Sequence, residues 1–228
     1  MLMNDTPVED FTLRRIDPWA QVVRVCSAGF LSYHRVVAEG VENLPQEGAG
    51  LLLPKHHAYR DILVEGVSLY KYTSRFATFV MKRGLWRILE LSGGVKVTRP
   101  KDVRRLKDRE QRRAAIQRAR EANQEMQAYL SWLYRNGELV ISHPEGMRYK
   151  DHMGPLQKEI VEHLLQTQET WGIQVPMIPI GIEYESYAIP GSRAYFRVGE
   201  PIWAQALSDL PEVVDALDEQ LRRLSGLD

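Results

Sequence analysis

The sequence contains little cysteine and no excess of charge of either sign. One cysteine, Cys26, occurs among 228 residues, which excludes an internal disulfide framework and favours a reducing compartment. We interpret Cys26 as a small packing residue. Thirty Lys and Arg residues balance thirty Asp and Glu residues, so the overall charge gives no indication of a nucleic-acid partner.

Long apolar runs are also absent. No stretch of about 18 uncharged apolar residues occurs, so no helix is predicted to cross a bilayer. The first segment, MLMNDTPVEDFTLRRID, is too acidic and too poor in apolar residues for a secretory signal. No repeat, low-complexity tract or Pro/Gly/Ser linker divides the chain. We therefore expect an intracellular protein with one hydrophobic core.

The sequence does contain short β-rich runs that alternate with segments of helical period. The β-rich runs are GLLLP (50–54), FATFVM (76–81), GVKVT (94–98), ELVIS (138–142), VPMIPIGIEY (175–184) and AYFRVGEPI (194–202). This alternation predicts an α/β fold, a single domain with a mostly parallel central sheet flanked by helices. Helices are expected after most of these runs, including LWRILEL (85–91) and a final helix over 210–224.

The first part of the chain is predicted to precede the main domain. We assign residues 1–33 to a tail and an amphipathic helix, and residues 34–228 to the domain. The apolar side chains at helical spacing in that first helix are Trp19, Val22, Val23, Cys26 and Phe30. This helix can either lie in a membrane interface or pack on the domain.

A long helix is predicted around residues 105–135, with an apolar stripe and a basic end. The stripe consists of Ala115, Ala119, Ala122, Met126, Tyr129, Leu130 and Leu133. Between Arg99 and Arg120, ten basic residues stand against three acidic ones. This basic cluster is either a solvated helix face or a surface that attracts lipid headgroups or an acidic carrier.

A histidine and an aspartate follow the first buried run. His56 and Asp61 are five residues apart, a spacing that neither a helix nor a strand brings onto one face. A strand that ends near Pro54 and a helix that begins near Asp61 would bring them together, at the edge where open α/β sheets bind ligands. A carboxylate next to histidine fixes its tautomer and stabilises its imidazolium. We therefore predict a general base that acts on a substrate hydroxyl, because no serine or cysteine stands nearby in a nucleophile-elbow context.

Residues suited to anion binding follow two further strands. GGVKVTRP leads to Arg99, and ISHPEGMRY supplies Glu145, Gly146 and Arg148. Arginine matches phosphate oxygens bidentately, and glycine lets the backbone approach a ligand closely. A third run, VPMIPIGIEY, carries two prolines, which are typical of an edge strand or a bulge.

The order of these segments resembles the glycerophospholipid acyltransferase family, which includes the 1-acylglycerol-3-phosphate acyltransferases. The family's first block, Asn-His, four residues and Asp, is similar to KHHAYRD, and its Gly-rich second block is similar to GGVKVTR. Its third block, Phe-Pro-Glu-Gly-Thr-Arg-Ser, resembles HPEGMRY, and its proline-containing fourth block resembles VPMIPIGI. Together the matched blocks span residues 54–182.

Several positions depart from the family pattern. Lys55 stands where the family has Asn, and His143 stands where it has Phe. The other departures are Ala58, Thr98, Met147 and Tyr149. These changes lie around the acceptor site, so they bear on the identity of the acceptor.

The resemblance implies an O-acyltransferase that moves a fatty acyl group from acyl-CoA or an acyl carrier protein to a lysophospholipid hydroxyl, with 1-acylglycerol-3-phosphate as the first candidate. The implied catalytic residues are His56 and Asp61. The implied acceptor-binding residues are Arg99, Glu145, Gly146 and Arg148, with Glu145 positioning an arginine or an acceptor hydroxyl. No metal or cofactor is expected besides the acyl thioester co-substrate.

The resemblance also implies where such a protein works and what it meets. We expect a peripheral protein on the cytoplasmic, inner face of a membrane. Its partners would be the acyl donor, the lysophospholipid and the membrane surface, but not nucleic acid. Three alternatives stay open: transfer to another lipid or sugar-lipid acceptor, a non-catalytic module that binds lipid or a carrier, and a thioesterase-like hydrolase.

Overall fold

The computed structural model describes residues 11–82, 90–98 and 108–227, except the side chains of Phe30 and Lys82. Helices and strands alternate along these ranges. The helices are α1 (Asp17–Leu31), α2 (Asp61–Thr73), α3 (Arg109–Arg135), α4 (Glu159–Trp171) and α5 (Leu210–Leu224). The strands are β1 (Arg35–Glu39), β2 (Gly50–Pro54), β3 (Ala77–Lys82), β4 (Val95–Val97), β5 (Leu139–Ile141), β6 (Met177–Tyr184) and β7 (Arg193–Val198).

The seven strands form one sheet in the order β1-β7-β6-β2-β5-β3-β4. All neighbouring strands run parallel except β6 and β7, which are antiparallel. This confirms the predicted α/β fold with a mostly parallel sheet. Strand β2 lies between β6 and β5, with Leu52 opposite both Ile141 and Ile178. The loops that follow β2 and β5 therefore leave the sheet side by side at its carboxyl edge.

The two faces of the sheet bury different helices because successive strand residues point to opposite sides. Leu51 and Leu53 pack with apolar residues of α3, α4 and α5. Leu52, between them, packs on the other face with Val64 and Leu69 of α2. All three leucines are fully buried, as expected for a strand covered on both sides.

Local signals set the ends of several helices. Asp108 precedes α3, and its side chain accepts a hydrogen bond from the Gln111 N–H at 2.7 Å, as an N-cap residue does. Gly172 ends α4 in the left-handed conformation, with φ of 63°. Pro211 lies in the first turn of α5, which covers the predicted range 210–224.

The long basic helix begins at Arg109, later than the predicted start near residue 105. Its stripe is buried mainly in the second half of α3. The buried members are Ala119, Met126, Tyr129, Leu130 and Leu133, whereas Ala122 is exposed. The predicted helix over 85–91 falls mostly outside the described residues, and so does the first part of the basic cluster, residues 99–107.

Helix α1 packs against α2, and the residues it buries differ from the apolar set that the sequence analysis names. Ala20, Ser27 and Leu31 are buried, whereas Val22 and Val25 are 50% and 58% exposed. Cys26 is also exposed, so its interpretation as a packing residue is wrong. The described residues thus leave an outer face that contains these two valines exposed. None of the helices in the described ranges has the length and apolarity needed to cross a membrane.

Two features of the sheet differ from expectation. Strand β1 was not predicted, because RVVAE carries charges at both ends and lies at the sheet edge. Pro179 lies in the interior strand β6, so the edge-strand alternative is wrong. Two residues separate Met177 from Ile180, whereas three separate their partners Ile202 and Val198, which makes a one-residue bulge opposite the proline.

Candidate active site

The His56 and Asp61 side chains meet in the loop between β2 and α2. Strand β2 ends at Pro54 and α2 begins at Asp61, as the sequence predicted. His56 Nδ1 lies 3.1 Å from Asp61 Oδ2. Because a carboxylate accepts, Nδ1 carries the hydrogen, which leaves Nε2 as the basic nitrogen. The His56 side chain remains 14% exposed, so the ring is accessible from the carboxyl edge of the sheet.

Asp61 is fully buried, and hydrogen bonds hold both of its carboxylate oxygens. Oδ2 also accepts from the backbone N–H groups of His57 at 2.7 Å and Ala58 at 2.6 Å. Oδ1 accepts from the Tyr184 hydroxyl of β6 at 2.9 Å. Burial by itself would raise the pKa of Asp61. The hydrogen bonds from His56, Ala58 and Tyr184 outweigh burial and hold this pKa below its usual value.

A second buried carboxylate joins the loops after β2 and β5. Glu145 Oε1 accepts from Lys55 Nζ at 3.0 Å and from the Gly154 N–H at 2.7 Å. Its Oε2 accepts from the His56 N–H at 3.0 Å. Lys55 also donates to the Tyr149 carbonyl at 2.6 Å, and both charged side chains are fully buried. The sequence predicts that Glu145 positions an arginine or an acceptor hydroxyl; among the described residues, its charged partner is Lys55.

A second histidine lies against the His56 ring. The rings of His56 and His143 have centroids 4.1 Å apart and are tilted by 34°. His143 Nε2 lies 2.9 Å from Glu65 Oε1, and Glu65 is buried on α2. Two histidine–carboxylate pairs therefore stand face to face at the start of α2.

Gly146 and Arg148 follow β5 on the turn that begins with His143. Gly146 has φ of 61°, and a Cβ there would lie 3.1 Å from the Gln157 side chain, so glycine suits the position. The Arg148 guanidinium is exposed and lies 3.6 Å from the centroid of the Tyr59 ring. Arg99, the other predicted arginine, lies outside the described residues.

The neighbouring histidine, His57, has a different environment from His56. The His57 backbone N–H donates to Asp61, whereas it is the ring of His56 that hydrogen-bonds to that carboxylate. Burial and the nearby Lys55 charge lower the pKa of His57. This geometry favours His56 over His57 as the proton acceptor.

Sequence reasoning missed Tyr184 and Glu65. Tyr184 comes from a distant strand, and no local pattern links it to Asp61. Glu65 did leave a signal, because it lies four residues after Asp61 and so shares a helix face with it. Within the described ranges, no group of three or more His, Cys, Asp or Glu side chains is arranged to hold a metal ion.

Comparisons with known proteins agree with this architecture. Residues 35–183 match the family described as Acyltransferase, so the chain belongs to the acyltransferase family. Its fold is similar to the crystal structure of the 1-acyl-sn-glycerophosphate (LPA) acyltransferase PlsC from Thermotoga maritima, with a TM-score of 0.60 and 19% identity. That similarity covers 90% of this chain and 77% of the Thermotoga chain. A comparison with curated proteins found no match.

The buried Lys55–Glu145 pair should be strongly coupled energetically. We expect Lys55→Met to cost about 3–5 kcal/mol of unfolding free energy, because it leaves Glu145 buried without its cation. Lys55→Met/Glu145→Gln should cost less than the sum of its single changes, by about 0.5–3 kcal/mol. Denaturant unfolding of the four proteins measures this coupling.

The control for that cycle is Arg193→Met, which removes one partner of the exposed Arg193–Glu185 pair. We expect little change in stability there, because solvent screens an exposed pair. Additive losses for Lys55 and Glu145 would contradict the coupling.

Proposed function

We propose that this protein transfers a fatty acyl group from an acyl thioester to the hydroxyl of a lysophospholipid, with 1-acylglycerol-3-phosphate as the first candidate. The observation that carries the proposal is the His56–Asp61 contact of 3.1 Å at the carboxyl edge of the sheet. Membership of the acyltransferase family supports it. Acyl-CoA and an acyl carrier protein both present the thioester that the reaction needs.

His56 acts as the general base in this proposal. Its Nε2 takes the proton of the acceptor hydroxyl while the hydroxyl oxygen bonds to the thioester carbon, and the carbonyl electrons move onto oxygen. When the tetrahedral intermediate collapses, the C–S bond breaks and the proton passes from His56 to the departing thiolate. Asp61 holds the ring and stabilises its charged form, as carboxylates do for catalytic histidines. No metal or further cofactor takes part.

Arg148 binds the acceptor phosphate in this proposal. Its guanidinium is exposed, and the Tyr59 ring supports it at 3.6 Å. Gly146, two residues earlier, gives the turn a backbone shape that lets the phosphate approach. We assign Glu145 an indirect role, because both of its oxygens already accept hydrogen bonds from the protein and tie the two loops together. Arg99 is proposed as a second phosphate ligand on the strength of the family resemblance.

The outer face of α1 supports attachment to a membrane surface. Val22 is 50% exposed and Val25 is 58% exposed. Helix α1 packs on α2, whose first residue is Asp61. Insertion of this face into the lipid interface would bring the site near its lipid acceptor. The basic cluster that continues into α3 would assist by attracting anionic headgroups. We accordingly propose a peripheral location on the inner face of a membrane.

Loss of the base should abolish transfer. We expect His56→Ala and Asp61→Asn each to lower kcat by about 10²- to 10⁴-fold, because general-base assistance disappears or loses its orientation. Thiol release from long-chain acyl-CoA or acyl carrier protein, with and without 1-acylglycerol-3-phosphate, measures the reaction. Circular dichroism checks that the variants are folded.

Different outcomes of this assay separate the alternatives. Full activity in folded His56→Ala would overturn the proposed mechanism. Release at the full rate without acceptor would indicate a hydrolase. Lipid binding without turnover over a broad acceptor panel would indicate a binding module.

Arg148→Ala should raise KM for 1-acylglycerol-3-phosphate by about ten- to a hundredfold, the usual effect of losing a charge-assisted hydrogen bond. Turnover of monoacylglycerol, which has no phosphate, should stay unchanged. Steady-state kinetics with both acceptors tests this, and Arg223→Ala on α5 provides an exposed arginine as control. Equal losses with both acceptors would contradict phosphate recognition.

Val25→Glu should weaken binding to anionic lipid vesicles by about tenfold or more, because it places a charge on the face proposed to enter the interface. Co-sedimentation with vesicles measures this. Gln174→Glu adds the same charge at an exposed position before β6 and should have little effect. Equal binding by wild type and Val25→Glu would remove α1 as the contact surface.

A further inference from the structure

Helix α2 presents two buried carboxylates one turn apart, and each holds a histidine. Asp61 contacts His56 at 3.1 Å, and Glu65 contacts His143 at 2.9 Å. Glu65 is only 1% exposed, and its second oxygen has no hydrogen-bond partner among the described residues. The centroids of the two imidazole rings lie 4.1 Å apart, and the rings are tilted by 34°. The proposed mechanism uses the first pair and gives no role to the second.

Among the described residues, four segments place polar or charged groups around the two rings. The groups are Lys55 and His57 from the loop after β2, Asp61 and Glu65 from α2, Glu145 from the loop after β5, and the Tyr184 hydroxyl from β6. Three are carboxylates and one is an ammonium, while His57 and Tyr184 contribute no charge. Apart from the exposed Arg148 guanidinium, which lies over the Tyr59 ring, these described groups leave two negative charges for the two histidines to balance.

We propose that His143 is a positioning residue that carries the first of these two balancing charges, held by Glu65, so that His56 stays neutral until it takes a proton from substrate. Two cationic rings at this separation repel each other, so a charge on one disfavours a charge on the other. The second positive charge then forms on His56 when it takes the substrate proton, and the Asp61 carboxylate stabilises it there. This inference rests on the proposed function only for the role of His56 as the general base.

The surroundings of His143 support this assignment. Burial alone would lower the pKa of His143. The charge and hydrogen bond of Glu65, with further help from Asp61 and Glu145, raise this pKa above its ordinary value. The opposite arrangement, with His56 charged at rest, would leave no lone pair for the acceptor proton.

Removing the charge of His143 while keeping its hydrogen bond tests the proposal. In His143→Gln, the amide can still donate to Glu65, but the carboxylate charge is no longer balanced. We expect the NMR titration midpoint of the His56 ring to rise by about one pH unit. His143→Gln/Glu65→Gln removes the unbalanced carboxylate as well and should return the midpoint close to the wild-type position.

The NMR titration needs no turnover, so it is separate from the test of the proposed function. His56→Gln identifies the His56 resonance, and thermal unfolding checks that each variant is folded. A His56 midpoint that is equal in wild type and folded His143→Gln would overturn the proposal. A midpoint that rises in both variants alike would also overturn it, because a purely structural change would then explain the shift.

An activity profile extends the same test if the transferase reaction is observed. The acid limb of kcat/KM should move to higher pH by about one unit in His143→Gln and return in the double variant. If the wild type shows no turnover but the NMR shifts are as expected, the transferase function is rejected and the positive charge on His143 is supported.

Discussion

The buried Asp61 carboxylate is the interaction on which the site depends. A carboxylate taken out of water is costly unless hydrogen bonds replace its hydration. Asp61 receives them from the His56 ring, from two N–H groups of the loop after β2 and from Tyr184 of β6. These partners come together only if β2 ends at Pro54, α2 begins at Asp61 and β6 lies beside β2. The same bonds that satisfy the charge therefore fix the geometry of the histidine.

Two departures from the family pattern are explained by their partners. Lys55, in place of Asn, reaches Glu145 of the third block, and the pair ties the loops after β2 and β5 together. His143, in place of Phe, is accompanied by the acidic residue Glu65 one turn into α2. Lys55 adds a buried charge, and His143 adds one in the proposed arrangement; the counter-charge of each lies on another segment. The centre of this site thus has a lysine–glutamate pair and a histidine–glutamate pair where the family pattern has an amide and an apolar ring.

Much of the fold and part of the site were predictable from local pattern. Runs such as GLLLP and ELVIS are apolar throughout, which is typical of strands covered on both faces, and both form interior strands. The final helix begins and ends as predicted because Pro211 and one apolar stripe mark it. The edge strand RVVAE was missed because an edge strand is less buried and so carries fewer apolar residues. For α1 the sequence left two alternatives open, and the structure buries the small residues Ala20 and Ser27 while Val22 and Val25 are exposed.

The sequence by itself determined that a strand-to-helix turn brings His56 to Asp61, because both residues and both signals lie within a dozen positions. It also determined the turn at Gly146, where a local conformation favours glycine. Only the tertiary structure decided the partners of those residues: Tyr184 on Asp61, Lys55 on Glu145 and His143 on the ring of His56. The physical reason is that charge balance in a buried site depends on distance in space. Residues separated by about ninety or more positions share one desolvated volume here, and no local pattern encodes that proximity.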